Sequence, residues 1–288
     1  MNNFLIGLCT SILVISSSIS SFAQETNSLL WKVTGRDITK PSYLFGTIHV
    51  LPENQYFFTD KMDSALMSCD VLTLETNMDV SYLEKIKLLQ EIMMPDRKGW
   101  KDFLTEDEYN QVKATFVDSL GIKPITFEEK YAMIKPFYAS GMILADLLGK
   151  VKKYEQELTT LAKKANKPIV GLETIYKQME FAASIPLEDQ LIDVILTGPG
   201  FLSKYKVFID AYASQNLEEL EKLANEDAGF EKMEAKLLTE RNNVWVRLLK
   251  KQMAEQSTFT AIGALHLVGE NGLISQLRQA GYTVEAVN

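Results

Sequence analysis

A short apolar segment, Tyr43-Leu44-Phe45-Gly46-Thr47-Ile48-His49, ends in the pattern Gly-x-x-His. The same pattern ends a second apolar segment near the far end of the chain, Phe259-Thr260-Ala261-Ile262-Gly263-Ala264-Leu265-His266. The chain has only two histidines, and each follows by three residues a glycine that closes an apolar run. Apolar runs of this length are typical of buried strands. The sequence therefore predicts that both histidines stand at the ends of core strands.

Two further predicted strands end in a carboxylate. The segment Asp70–Thr76 carries Glu75 near its end, and the segment Lys167–Thr174 carries Glu173 in the matching position. Ligands bind at the carboxyl ends of the strands in open α/β sheets. We therefore expect the two histidines and the two glutamates to converge on one edge of a sheet.

This combination of side chains suits a divalent metal ion. Two neutral imidazoles, from His49 and His266, with one or two carboxylates can hold such an ion and leave positions open. The glycines Gly46 and Gly263 have no side chain and so permit a close backbone approach. A metal bound here would polarise a carbonyl and lower the pKa of bound water, and a remaining carboxylate would act as general base.

Each of these residues also has a plain structural interpretation. A histidine on a strand is usually an ordinary core or surface residue, although two histidines in matched motifs favour a functional role. Glu75 and Glu173 would, alternatively, cap the helices that follow them, where a carboxylate is favoured by the helix dipole. Arg241, in the middle of a predicted helix, would be a solvent-facing residue or an ion-pair partner.

Strand patterns alternate with long helical stretches, which predicts an α/β fold. Strands are expected at 28–34, 42–49, 70–76, 167–174, 258–262 and 282–287, the first two pairing as a hairpin. Helices are expected at 59–68, from about 80 to 149 with breaks, and at 151–165, 175–184, 186–196, 201–213, 217–224, 233–253 and 269–280. Thr59 or Asp60 is the expected N-cap of the first helix, and Thr105 to Glu108 reads as a capping box. Pro136 marks a kink or a boundary within the stretch 131–148.

The helical region contains a cluster of methionines and aromatic residues. Its members are Met133, Phe137, Tyr138 and Met142. Such residues are more often core than ligand surface, so we expect them to be buried. The alternative is that they line a cleft for an apolar substrate.

The first residues resemble an export signal. An apolar run from Phe4 to Ile15 is followed by serines and by Ser21-Phe22-Ala23, a small-x-small cleavage pattern. The prediction is a signal peptide at residues 1–23 and an exported protein, periplasmic or secreted. The alternative is an uncleaved N-terminal anchor.

Composition limits the partners of the remaining chain. The net charge is −8, which argues against nucleic acid and anionic lipid as partners. No second apolar stretch is long enough to span a bilayer, so no membrane contact is expected once the signal is cleaved. After cleavage Cys69 would be the one remaining cysteine, so neither a disulfide framework nor a cysteine-rich metal site is expected, and Cys69 itself is expected to be buried.

Taken together, the motifs resemble those of the TraB/GumN family, which includes the pheromone-shutdown proteins and the Tiki Wnt-inactivating proteases. The resemblance extends from Leu30-Trp31-Lys32-Val33 to Gly281-Tyr282-Thr283-Val284. The chain departs from the family at one position, because Lys153-Tyr154-Glu155 stands where the family commonly has Gly-Val-Asp. The segments that carry the resemblance are 42–50, 171–174, Arg241-Asn242 and 263–269.

The resemblance implies a fold and a set of roles. The fold would be a mixed central sheet flanked by helices, with a helical insertion over the strand ends, as in erythromycin-esterase-like and ChaN-like proteins. The family-type domain would cover 24–288, with mainly helical insertions at about 80–165 and 175–255. His49, His266 and Glu75 would be metal ligands, with Mn or Co favoured over Zn. The remaining roles follow from the same resemblance: Glu173 would be a base or a further ligand, Arg241 would stabilise an oxyanion or orient a carboxylate, Glu155 would replace the family aspartate, and Asn242 would belong to the site.

The resulting hypothesis is an exported metal-dependent hydrolase that acts on peptides. One alternative is a non-catalytic protein that binds or sequesters a peptide, a signal or a haem-like ligand. Another is a metal-independent, esterase-like hydrolase with a histidine as base. The sequence leaves the substrate, a peptide or a small molecule, and the oligomeric state open.

Overall fold

The computed structural model describes residues 27–35, 38–77, 80–191, 200–226 and 234–288. The predicted signal peptide lies outside these ranges. So do the end of the helix predicted at 186–196, most of the break after it, and the first residue of the helix predicted at 233–253.

A mixed six-stranded sheet forms the centre of the fold. Its strands lie in the order β6-β4-β7-β2-β1-β8, and the neighbours β6, β4, β7 and β2 run parallel to one another. β1 runs antiparallel to both of its neighbours, β2 and β8, so the predicted hairpin is confirmed. A separate pair, β3 and β5, is antiparallel. The strand bounds are β1 Leu30–Thr34, β2 Ser42–Thr47, β3 Leu51–Pro52, β4 Val71–Thr76, β5 Val151–Lys152, β6 Ile169–Glu173, β7 Thr258–Gly263 and β8 Thr283–Ala286.

Helices connect the strands and flank the sheet. Their bounds are α1 Asp60–Ser68, α2 Tyr82–Ile92, α3 Glu106–Ala114, α4 Pro124–Thr126, α5 Pro136–Leu148, α6 Tyr154–Lys164, α7 Ile175–Ser184, α8 Phe201–Ala213, α9 Leu217–Asn225, α10 Glu240–Glu255 and α11 Leu273–Gln279. Three π-helical turns adjoin them, at Thr115–Ser119, Phe127–Tyr131 and Ala235–Thr239.

Local sequence explains where several helices begin. The Thr59 hydroxyl accepts the backbone N–H of Met62, which identifies Thr59 as the N-cap of α1. The predicted capping box is confirmed, because Thr105 and Glu108 each accept a backbone N–H of the other. Pro136 lacks a backbone N–H and occupies the first turn of α5, where none is needed.

Three predicted helix starts were wrong. Val151 belongs to β5 and not to a helix, because its segment pairs with β3, and α6 begins at Tyr154. Tyr131 is the last residue of a π-helical turn, and α5 begins only at Pro136. Gly269 adopts a φ of 79°, a left-handed conformation that lies outside a right-handed helix, and α11 begins at Leu273.

Two hydrophobic clusters stabilise the chain. The larger surrounds the sheet and includes Phe45, Tyr154 and Phe259. The smaller lies within the helices after β4 and includes Trp100 and Phe127, whose rings pack edge to face. The helical stretch after β4 therefore has a core of its own.

The predicted burial of the methionine and aromatic cluster was only partly correct. Phe137 is exposed, and Met133, Tyr138 and Met142 are half-buried. The residues of α5 that do enter the core are Ala139, Ile143 and Leu144, on another side of the helix. Cys69 is buried, as predicted.

The predicted fold class is confirmed: the protein is mixed α/β, with a mixed sheet flanked by helices. The closer likeness to erythromycin-esterase-like and ChaN-like proteins stays a prediction. In the ranges that the structure describes, no helix combines the length and the apolar character that crossing a bilayer requires.

Candidate active site

The four parallel strands end at one edge of the sheet, and the predicted site residues follow those ends. Glu75 and Glu173 lie at the ends of β4 and β6, whose register pairs Thr76 with Glu173. His49 and His266 follow β2 and β7, whose register pairs Thr47 with Gly263. The expected convergence is therefore present in the fold. It arises because parallel strands in one sheet present their carboxyl ends to the same side.

The guanidinium of Arg241 lies between the two carboxylates. Its Nη2 donates to Glu75 Oε2 at 2.6 Å and to Glu173 Oε1 at 2.8 Å, and its Nε donates to Glu173 Oε2 at 3.4 Å. Its Nη1 donates to the carbonyl of Leu237 at 3.1 Å and to Nε2 of His266 at 3.1 Å. An arginine carries five N–H donors, and these contacts use all five.

This geometry separates the roles considered for Arg241. The side chain is only 17% exposed and forms ion pairs, so the solvent-facing alternative is wrong. With every donor engaged inside the protein, the guanidinium orients two carboxylates and has no N–H left for an oxyanion in this arrangement. The helix-capping alternative for Glu75 and Glu173 is also wrong, since Ser81 and Thr174 cap the helices that follow.

The neighbouring residue, Asn242, orients His266. Its Nδ2 donates to the carbonyls of Asn271 and His266, so its Oδ1 accepts a hydrogen bond from the Nδ1–H of His266 at 2.7 Å. Arginine can only donate, so Nε2 of His266 must accept the contact from Arg241. Two independent hydrogen bonds thus select one tautomer, with Nδ1 protonated and the lone pair of Nε2 directed toward the guanidinium of Arg241.

The other imidazole, His49, is placed differently. Its side chain is 72% exposed, and its Nδ1 lies 3.4 Å from Oε1 of Glu155. Glu155 stands in the first turn of α6, next to Tyr154, which is fully buried and donates to the carbonyl of Phe57. The carboxylate of Glu155 therefore reaches the first histidine.

The glycines of the two motifs permit close packing. A Cβ on Gly46 would lie 3.1 Å from Cβ of Ala264 and 3.0 Å from Cδ1 of Leu267, so the two Gly-x-x-His segments touch each other there. The backbone N–H of Gly263 donates to Oε1 of Glu75 at 2.7 Å. A Cβ on Gly263 would lie 3.3 Å from that oxygen. At both glycines, an added side chain would therefore crowd neighbouring atoms.

The two glutamates have opposite electrostatic environments. Burial opposes ionisation of Glu75, but its electrostatic interactions with His266, Arg241 and His49 and the N–H of Gly263 outweigh it and lower its pKa to about 2. Burial raises the pKa of Glu173, although Arg241 opposes this shift. Glu75 therefore stays ionised near neutral pH, whereas the pKa of Glu173 is shifted upward, toward easier protonation.

The two histidines also differ. Burial lowers the pKa of His266 to about 3, and the positive charges of Arg241 and His49 act in the same direction against Glu75. The contact with Glu155 raises the pKa of His49 to about 9 despite the desolvation that opposes it. Because His266 is neutral near pH 7, the cations that keep Glu75 ionised there are Arg241 and His49.

Two residues near the carboxylates were not predicted. Gln178, in α7, donates from Nε2 to Oε2 of Glu75 at 3.1 Å. The ring of Trp245 stacks on His266 with centroids 4.4 Å apart, and the guanidinium of Arg241 lies 4.4 Å from its centroid. Of these two residues, only Trp245 could have been identified from the sequence, because it stands four residues after Arg241 and so shares its helix face.

The donor set fits a divalent metal ion in its chemistry. Nε2 of His266 carries a free-base lone pair, Glu75 is ionised, and His49 follows the neighbouring strand. Within the described ranges, however, no group of three His, Cys, Asp or Glu side chains is arranged to hold an ion. At the centre of the cluster the Arg241 guanidinium contacts both carboxylates and the imidazole lone pair.

The cavities found do not enclose the strand-end residues. One of about 240 Å³ borders Asn242 and is lined also by Glu221, Leu265 and Asn271. A larger one of about 660 Å³ involves Asn27, Met62 and Asn288. Among the four strand-end residues, His49 has the most exposed side chain.

Substitution of Gly46 tests the close packing of the two motifs. We expect Gly46→Ala to destabilise the protein by about 1–3 kcal/mol, because the new methyl group would meet Ala264 and Leu267 in a packed region. The measurement is the free energy of unfolding in urea. Gly141→Ala is the matched control: its added Cβ meets nothing within 4 Å in the exposed middle of α5, so a gain of about 0.5–1 kcal/mol is expected. Equal stability of wild type and Gly46→Ala would contradict the packing interpretation.

The pH dependence of stability tests the environments of the histidines. Between pH 6.5 and 5 the unfolded chain takes up a proton that folded His266 refuses, so stability should fall by about 1.4 kcal/mol per pH unit as pH decreases. His266→Gln should remove this fall. His49 has the opposite effect. Its contribution to the free energy of unfolding is complete below pH 6.5 and is lost as pH rises through about 9.

The measurement is urea unfolding from pH 5 to pH 10, with His49→Gln as the matched control. That variant should keep the loss of stability in acid and lose the decline above pH 6.5. Parallel curves for wild type and His266→Gln between pH 5 and 6.5 would show that His266 titrates normally and is not buried as neutral imidazole.

Comparison with known proteins identifies the family. The sequence profile of the TraB/PrgY/gumN family matches residues 29–286. The chain is also 25% identical over 319 residues to a human protein, metalloprotease TIKI1 from Homo sapiens; the match covers 91% of this chain and 62% of that protein. The chain thus spans about three fifths of the relative's length. No solved structure matches the chain. Because the family match covers nearly the whole chain, the protein belongs to the TraB/PrgY/gumN family.

Proposed function

We propose that this protein is an exported metal-dependent hydrolase that cleaves peptides. The observation that carries the proposal is that the strands leading to two histidines and two glutamates end at one sheet edge, where the pKa values of the two glutamates are shifted in opposite directions. Pairs of titratable groups with pKa values driven apart are typical of acid–base sites. Family membership and the distant likeness to a metalloprotease support the same reaction class.

His49, His266 and Glu75 are the residues that would hold the ion. Mn and Co are favoured over Zn only through the resemblance to the Tiki proteases. When bound, the metal supplies a Lewis acid that polarises a carbonyl and lowers the pKa of a water molecule. Asn242 contributes by keeping Nε2 of His266 unprotonated, and a partner of this kind commonly orients a ligating histidine.

Glu173 is the proposed general base. Burial raises its pKa, which brings its proton affinity closer to that of the groups it must exchange protons with. Arg241 holds the carboxylate by two N–H contacts and so fixes its direction. Glu75, with its pKa of about 2, stays ionised throughout and cannot serve as a proton carrier near neutral pH.

The acidic composition is consistent with a peptide or small-molecule substrate and gives no support for nucleic acid. Export is part of the proposal because residues 4–23 have the pattern of a cleavable signal. We expect the protein recovered from the periplasm or medium of a secreting host to begin at Gln24, as measured by N-terminal sequencing. A chain that keeps Met1 and stays with the membrane fraction would support the uncleaved anchor.

Peptide hydrolysis tests the reaction. Protein stripped by a chelator should cleave a library of fluorogenic peptides only after Mn²⁺, Co²⁺ or Zn²⁺ is added. Glu173→Gln should lower kcat about 100-fold or more if it removes a general base, and His266→Ala should remove both bound metal, measured by elemental analysis, and activity. Glu180→Gln is the matched control, because its exposed side chain pairs only with Lys177 on α7.

The same assay separates the alternatives. Turnover that survives complete removal of metal would favour the metal-independent hydrolase. Retention of peptides without turnover, in every metal tested, would favour the sequestering protein. Equal metal content in wild type, His49→Ala and His266→Ala would overturn the metal site.

A further inference from the structure

The guanidinium of Arg241 and a metal ion would need the same atoms. Nη2 of Arg241 contacts Oε2 of Glu75 at 2.6 Å, and Nη1 takes the lone pair of Nε2 of His266 at 3.1 Å. That nitrogen has one lone pair, because Asn242 keeps the proton on Nδ1. It can accept an N–H or bind a cation, and it cannot do both.

From this overlap we propose that Arg241 is an internal competitor of the metal ion, so that a divalent cation binds Glu75 and His266 only when the guanidinium withdraws. The inference rests on the proposed metal-dependent function and adds a regulatory step to it. It assigns Arg241 a role distinct from oxyanion stabilisation, for which the described arrangement leaves no free donor.

Electrostatics supports exclusion of one cation by the other. A divalent ion on Glu75 and His266 would lie within a few ångströms of a guanidinium that is only 17% exposed. Repulsion between two cations at this separation is large where water screens poorly. The divalent ion would replace Arg241 as the main positive partner of Glu75. The guanidinium would then be repelled without a compensating contact to that carboxylate.

Trp245 provides a second, independent observation. Its indole Nε1 is buried and has no hydrogen-bond partner among the described residues. Buried donors are nearly always paired, so this one calls for an explanation. The indole lies close enough to Glu173 to lower the pKa of that carboxyl, although it falls short of a regular hydrogen bond. Withdrawal of Arg241 would leave Trp245 as the donor for Glu173.

The backbone just before Arg241 departs from regular α-helix. The residue stands in the first turn of α10, directly after the π-helical turn Ala235–Thr239, whose Leu237 carbonyl accepts one of its N–H groups. π-helical turns are frequent at functional sites.

Cation affinity measured without any substrate tests the competition. The probe is Mn²⁺ alone, added to chelator-stripped protein and followed by the loss of the free-ion electron paramagnetic resonance signal. Arg241→Met, which removes the charge and keeps the length, should bind Mn²⁺ about tenfold more tightly or better, because the competitor is gone. Arg241→Lys keeps a positive charge and should stay within a few-fold of wild type. Arg247→Met, at an exposed position on the same helix, should match wild type.

A measurement on the wild-type protein makes the test independent of how the variants fold. Phenylglyoxal modifies accessible guanidinium groups, and peptide mapping by mass spectrometry reports each arginine separately. Arg241 should be protected in stripped protein and become reactive when Mn²⁺ is added. Arg247, on the same helix, is exposed and should react equally in both samples.

The outcomes separate the two proposals. Tighter binding by Arg241→Met, or labelling of Arg241 that depends on Mn²⁺, supports competition. If wild type and Arg241→Met bind Mn²⁺ equally and Arg241 stays protected, the competition is overturned while the metal-dependent function stands. If neither protein binds Mn²⁺, both proposals fail together.

Discussion

A single buried guanidinium determines how the rest of the polar cluster is arranged. Arg241 spans Glu75, Glu173 and His266, and each of those groups is largely withdrawn from water. Buried charges are tolerated when they are paired and hydrogen-bonded, and removal of one partner leaves the others uncompensated. The contact therefore constrains two strand ends, β4 and β6, together with the segment after β7. It joins the ends of these three strands into one charged unit at the carboxyl edge of the sheet.

The two Gly-x-x-His segments are alike in sequence and unlike in environment. They run side by side and touch at Gly46 and Ala264. One imidazole is buried, has a lowered pKa and is directed by Asn242, whereas the other is exposed and has its pKa raised by Glu155. The difference follows from their partners, because an amide oxygen stabilises neutral imidazole in the interior and a carboxylate stabilises imidazolium at the surface. Two matching motifs thus yield one buried imidazole and one exposed imidazole.

The two carboxylates divide in a similar way. Glu75 accepts N–H groups from Arg241, Gln178 and Gly263, so its charged form is strongly stabilised. Glu173 shares the guanidinium but has fewer donors, and burial then dominates its proton affinity. This division supports a ligand role for the first and a proton-transfer role for the second. It also identifies Arg241 as the group through which a change at one carboxylate would reach the other.

The sequence by itself determined which strands carry polar ends, and it did so through short-range patterns. Apolar runs that close in Gly-x-x-His or in Leu-Glu-Thr predicted the strands before His49, Glu75, Glu173 and His266, and parallel pairing brought them to one edge. The start of α6 was mispredicted because β5 forms only through pairing with β3, a contact about a hundred residues away in the chain. The sequence likewise did not predict the contact of Gln178 with Glu75 or the contacts made by all five N–H groups of Arg241. Which donor reaches which oxygen depends on distances between helices and strands that only the tertiary structure sets, since a side chain's local sequence does not record what packs against it.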